Sequence, residues 1–186
     1  MSTTYFTWVF PVLPGQVPAS DASFDDVSGF MNIGVALNRT LASASRNDWL
    51  NVNIQTLSSR FADGGFEFLA LDGRTPCCDR SGARWIVSVL DGPAIERLIS
   101  AIERLLESAR VEPGAFAQAL GQGDDATTVA EALRSSSDVY DAVQGPPGEE
   151  EGDGPDYLFS YLKCLLSVAR YARENGAWLS HARHKH

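Results

Sequence analysis

Histidine is missing from the body of this sequence: the chain has three, His181, His184 and His186, all within its last six residues. An imidazole acting as general base, proton shuttle or metal ligand would have to come from the extreme C-terminus, which is usually frayed. That argues against a Ser/His/Asp triad or a Cys/His dyad in the body of the fold. Cysteine is scarce as well. Cys77, Cys78 and Cys164 are an odd number in a chain with no export signal, which predicts reduced thiols and no disulfide framework. Lysine is limited to Lys163 and Lys185 beside thirteen arginines, a bias first attributed to genomic base composition. No apolar run approaches the ~20 residues of a membrane span, and residues 1–11 carry no basic n-region. The expectation is a cytoplasmic, unprocessed chain that does not engage a membrane.

What remains is an ordinary globular composition: 186 residues, 44% hydrophobic, 21% charged, net charge −9. A chain of this length buries a substantial core without staples. The negative charge is concentrated. Residues 111–157 hold eleven carboxylates and one basic residue, Arg134, for a sum of −10, whereas residues 158–186 sum to +4. Such a block repels phosphate, disfavours direct nucleic-acid binding, and attracts cations or basic proteins.

Residues 5–12 read as a strand apolar on both faces, hence interior to a sheet. Phe30, Ile33, Leu37 and Leu41 recur at helical spacing and predict a helix over residues 24–43. From Asp48 the Leu50, Ile54, Leu57, Phe61 spacing and the Gly64-Gly65 stop favour another. Residues 66–71 and 84–90 read as strands paired in a hairpin, with both adjacent cysteines in the loop 72–83. Asp91-Gly92-Pro93 starts a helix to Arg110 with one apolar face, Ile95, Leu98, Ile99, Ile102, Leu105, Leu106 and Ala109. Glu112-Pro113-Gly114 opens a short helix, and residues 127–143 form the next. Residues 144–155, rich in Gly, Pro and Glu, read as a mobile acidic loop. Pro155 starts a last helix with Leu158, Leu162, Leu165, Ala169 and Ala172 in one narrow stripe, stopped by Asn175-Gly176. Ala177-Trp178-Leu179 suggests a short edge strand or cap, followed by a disordered polar tail, 181–186. The whole predicts a single α+β domain over 1–180, with a small, mostly antiparallel sheet packed against several helices and a helix-rich C-terminal half.

The sharpest catalytic pattern is Cys78-Asp79-Arg80-Ser81-Gly82-Ala83-Arg84. It resembles the cysteine, five residues, arginine spacing of protein tyrosine phosphatases, which implies Cys78 as nucleophile and Arg84 as phosphate clamp. It departs from that family in that Arg84 opens the strand-like Trp85-Ile86-Val87, where the family has a helix. Cys77-Cys78 lacks the second pair a tetrahedral metal site needs, and the tail histidines read as solvated, so no metal and no cofactor is expected. Gly121-Gln122-Gly123 follows a helix and precedes two aspartates, which excludes the dinucleotide fingerprint it matches in letters. Glu131, Arg134, Asp138 and Asp141 share one side of a helix and read as a solvent face with an internal ion pair. Lys163, Arg170 and Arg173 form a basic stripe that could lean on the acidic block.

The segment DYLFSYLKCLLSVARYARENGAWL, residues 156–179, resembles the ending of the YfbM-like family of small bacterial proteins. The resemblance implies an α+β fold and, in part, association with bacterial toxin–immunity or defence loci, and it carries no site residue. The reading that results is a non-enzymatic, cytoplasmic protein-binding module, immunity- or antitoxin-like, that masks a basic protein partner. Its surface would be Asp124, Asp125, Glu131, Asp138, Asp141, Glu149, Glu150 and Glu151. The alternatives are the Cys78/Arg84 phosphatase, or a structural subunit that docks the apolar face of its last helix on another chain.

Overall fold

The structure, a computed structural model, describes residues 5–16, 41–44, 48–67, 75–78, 84–121, 123, 125–136 and 154–185. Five strands are β1 (Tyr5–Val12), β2 (Leu41–Ala44), β3 (Thr75–Cys78), β4 (Arg84–Leu90) and β5 (Trp178–Lys185). They form one sheet in the order β2-β1-β5-β4-β3, and each neighbouring pair is antiparallel. Among the described residues the α-helices are α1 (Asp48–Leu57), α2 (Gly92–Val111), α3 (Pro113–Leu120), α4 (Ala126–Ser135) and α5 (Pro155–Glu174). The α+β class and the helix-rich C-terminal half are as the sequence predicts.

The strongest local signals form the predicted elements. β1 lies inside the sheet, and Val9, Phe10 and Val12 are all buried. α2 opens at Asp91, whose side chain accepts the Ala94 N–H at 3.0 Å, with Pro93 in the first turn where a missing N–H costs nothing. Its predicted face is buried apart from Leu106, which packs against the core half-covered. α1 runs into a π turn over Ser58–Ala62 and stops at Asp63, which has a left-handed φ of 55°. The following Gly65, at φ +101°, lies so close to α2 that a Cβ there would fall 2.5 Å from the Cβ of Ala101. Only glycine allows that approach.

α5 sits at the centre of the molecule, packed on α2, α4 and β1. It buries Tyr157, Phe159, Tyr161, Cys164, Leu166 and Val168 as well as the stripe read from sequence, because neighbours press on more than one side. The apolar face of the last helix is thus covered from within the chain. Phe116 of α3 stacks between Phe61 and Phe159, with ring centroids 5.5 Å and 5.6 Å away, tying the π turn, α3 and α5 into one core.

The C-terminus differs most from the expectation. At the end of α5, Gly176 takes a φ of +61°, its N–H reaches Arg173 O, and the Ala177 N–H reaches Ala172 O at 2.9 Å. This Schellman closure reverses the chain, and Ala177 packs on the core beside it. β5 then enters between β1 and β4. The sequence reading of a short edge strand and a disordered 181–186 tail is corrected: residues through Lys185 form the central strand, paired on both sides. Register sets Leu179 between Pro11 and Leu90, Ser180 between Phe10 and Val89, and His181 between Val9 and Ser88. A polar strand tolerates this position because its backbone is satisfied on both edges while flanking strands supply the apolar bulk.

Three further expectations change. On the side of β4 away from β5, the partner is β3, which contains both adjacent cysteines, where the expectation is pairing by residues 66–71 and a loop over 72–83. Phe66 and Glu67 are not in a strand, and 68–71 lie outside the described residues. The helix predicted over 24–43 falls outside them as far as residue 40, and its last three positions belong to β2. The helix predicted over 127–143 ends at Ser135, with Ser136 extended. The acidic loop 144–155 lies outside the described residues as far as residue 153, and Pro155 starts α5 as predicted.

Candidate functional site

The site is built where α4 meets α5. Asp125 caps the N-terminus of α4: one carboxylate oxygen accepts the Thr128 N–H at 2.8 Å and the Thr128 hydroxyl at 3.0 Å. These hydrogen bonds, the backbone one foremost, hold the Asp125 carboxyl below the usual aspartate range. At the other end, Lys163 of α5 reaches across. Its ammonium donates to the carbonyls of Leu133 at 2.6 Å and Ser136 at 2.9 Å. A carboxylate at the N-terminus and an ammonium at the C-terminus complement the helix dipole at both ends.

Beyond the Lys163 contact lies a concavity of ≈ 640 Å³. From the end of α4 it takes Arg134 and Ser136. The rest comes from one face of α5 at three- and four-residue spacing: Lys163, Leu166, Ser167, Arg170, Tyr171 and Glu174. Three cations face one carboxylate. Lys163 is half-buried and is held by backbone carbonyls with no carboxylate among the described residues. Arg170 pairs with Glu103 of α2 at 2.7 Å. Arg134 is exposed and makes no ion pair with a described residue.

The basic stripe of α5 is thus divided. Lys163 leans on the acidic segment, but through the main chain of α4. Arg170 and Arg173 turn to Glu103 and Glu96 of α2, the latter at 3.6 Å. The pairs descend along α2 as they ascend along α5, so the two helices run antiparallel there. These side chains are 39–55% exposed, and each pair contributes about 0–1 kcal/mol.

Of the predicted acidic surface, the structure places Asp125 and Glu131 on α4, both exposed. Asp124, Asp138, Asp141, Glu149, Glu150 and Glu151 lie outside the described residues. Cys78 ends β3 directly opposite Arg84, which opens β4, and residues 79–83 between them lie outside the described residues. No helix N-terminus follows Arg84, so the dipole that phosphatases aim at the phosphate is not supplied from that side. Cys164 is buried within α5. His181 is 2% exposed inside the sheet, so the one histidine whose side chain is described belongs to the core. Among the described residues no group of three His, Cys, Asp or Glu side chains could hold a metal ion, and no helix is long and apolar enough to cross a membrane.

The concavity itself was not legible in sequence. The α5 spacing of Lys163, Ser167, Arg170 and Tyr171 is a usable signal, but Arg134 reaches that face only through packing of α4 on α5. Compared with protein-family models, with curated proteins and with solved structures, the chain matches none.

Proposed function

We propose that this chain is a non-enzymatic protein-binding module, of the immunity or antitoxin type, that masks a basic partner with the acidic surface of residues 111–157. One observation carries the reading. The single basic residue of that segment, Arg134, lines the concavity shared with α5, while Asp125 and Glu131 stand exposed on the same helix. The resemblance of residues 156–179 to the YfbM-like family supports the same class. A surface of this sign steers a basic protein to fast association that weakens with salt.

The test is capture from the source cell's lysate at low and high salt, wild type against a Glu131→Lys, Asp138→Lys, Asp141→Lys variant. A stoichiometric basic protein, released by salt and not held by the variant, is the expected result. A partner bound equally by both forms would overturn the surface, and no basic partner would overturn the class.

The second reading, a cysteine-dependent phosphatase, draws on the register that sets Cys78 opposite Arg84. It requires turnover of an aryl phosphate that Cys78→Ser abolishes. No turnover between pH 5 and 8 removes it.

A further inference from the structure

The concavity between α4 and α5 has a use that the acidic-surface reading does not call on. Its volume, ≈ 640 Å³, falls in the range of small-ligand sites, roughly 300–1,000 Å³. Its chemistry is opposite in sign to the segment next to it. Arg134, Lys163 and Arg170 line it, with Glu174 the one carboxylate among its described lining residues and Glu103 paired to Arg170 at 2.7 Å. Glu174 is itself drawn to Arg173, 3.9 Å away.

We infer that this concavity is a binding site for a small phosphomonoester or phosphonate with an aromatic or apolar body. Three features choose that class. The Lys163 ammonium has three donors, of which the Leu133 and Ser136 carbonyls take two, leaving one for an anion. Those carbonyls also hold the ammonium in place, so it need not be ordered when a ligand arrives. Arg134 has its whole planar fork uncommitted to any described carboxylate, which suits bidentate recognition of a phosphoryl group.

The second feature is hydroxyl supply. Ser167 borders the concavity on α5 and can donate to a phosphoryl oxygen, whereas the Ser136 hydroxyl, just past the end of α4, donates to the Leu133 carbonyl at 3.3 Å. The third is an apolar wall, supplied by the half-buried ring of Tyr171 on α5, beneath which Leu166 is packed into the core. A ring carried by the phosphoryl group has a surface to lie against there, which inorganic phosphate does not use. The concavity thus places one anionic and one apolar subsite side by side.

Phenylphosphonate is the probe, because its P–C bond is not split by a phosphatase and binding is read apart from turnover. Titrations by calorimetry and by amide chemical shifts would use the full chain at constant ionic strength, with inorganic phosphate and benzyl alcohol as separate arms. The expected result is saturable binding of phenylphosphonate, tighter than inorganic phosphate, with shifts at Ser136, Lys163, Ser167 and Tyr171. Arg134→Gln, which disturbs no contact among the described residues, should weaken it by about tenfold. Glu174→Gln should strengthen it by about threefold, the sign opposite to that of a merely structural role. Equal affinity for inorganic phosphate would overturn the apolar subsite. Absence of saturation, shifts elsewhere in the fold, or indifference to both substitutions would overturn the site.

Discussion

The ammonium of Lys163 lies 2.6 Å from the carbonyl oxygen of Leu133, and through it the central helix α5 closes the C-terminal end of α4. The contact joins residues thirty positions apart and stops α4 where sequence periodicity would let it continue. Replacing Lys163 with Met keeps the stem and removes the donor. A helix end then loses a charge-assisted partner, and stability should fall by about 1–3 kcal/mol. Denaturant titration measures this, and faster amide exchange in the last turn of α4 would localise it.

Asp125 makes a pH prediction. Its folded carboxyl titrates below the ordinary aspartate value because the Thr128 N–H and hydroxyl bind the charged form. The stabilisation it contributes is therefore fully present above ~3.9 and is lost as pH falls through the lowered value. Asp125→Asn keeps a capping acceptor and removes the charge. Wild type should be the more stable at pH 6, and the difference should shrink steadily below about pH 4. Paired thermal melts from pH 2 to 6 check it. A constant difference would show that the carboxylate is not the group responsible.

Phe116 is fully buried between two stacked rings. Phe116→Ala should cost about 3–5 kcal/mol, a large part of the 5–15 kcal/mol typical of a whole domain. Phe116→Leu retains most of the volume and should cost clearly less. Urea unfolding of both variants would test whether the Phe61, Phe116, Phe159 ladder is a central packing element or a peripheral one.

The C-terminal strand offers the sharpest contrast. A solvated tail could be removed after Ser180 with no effect on folding. In the structure that cut deletes the β5 positions paired with Tyr5 to Val9 on one side and with Arg84 to Ser88 on the other. It splits the sheet at its centre and leaves two rows of backbone groups without partners. The truncated chain should lose its cooperative unfolding transition. A melting temperature within a few degrees of the full chain would contradict the strand order.

Elements with dense local signals were legible from sequence. Asp91-Gly92-Pro93 followed by seven apolar residues at helical spacing can be little else than an amphipathic helix, and it is one. Tyr5–Val12, Arg84–Leu90 and the Pro155 start of the last helix are similar cases, because capping, proline geometry and periodicity act within a few residues. The Asn175-Gly176 stop was readable for the same reason.

Tertiary structure decided what depends on distant partners. Trp178–Lys185 is polar enough to read as a tail, and it becomes the middle of the sheet because β1 and β4 each offer an open edge that its backbone satisfies. Thr75–Cys78, with no apolar alternation, is a strand only because β4 pairs with it. The concavity follows the same rule. Composition determined that residues 111–157 are acidic and that the last helix is basic on one side. Only the packing of α4 on α5 brings Arg134, Lys163 and Arg170 to one place, since charge is a property of residues and a site is a property of their distances.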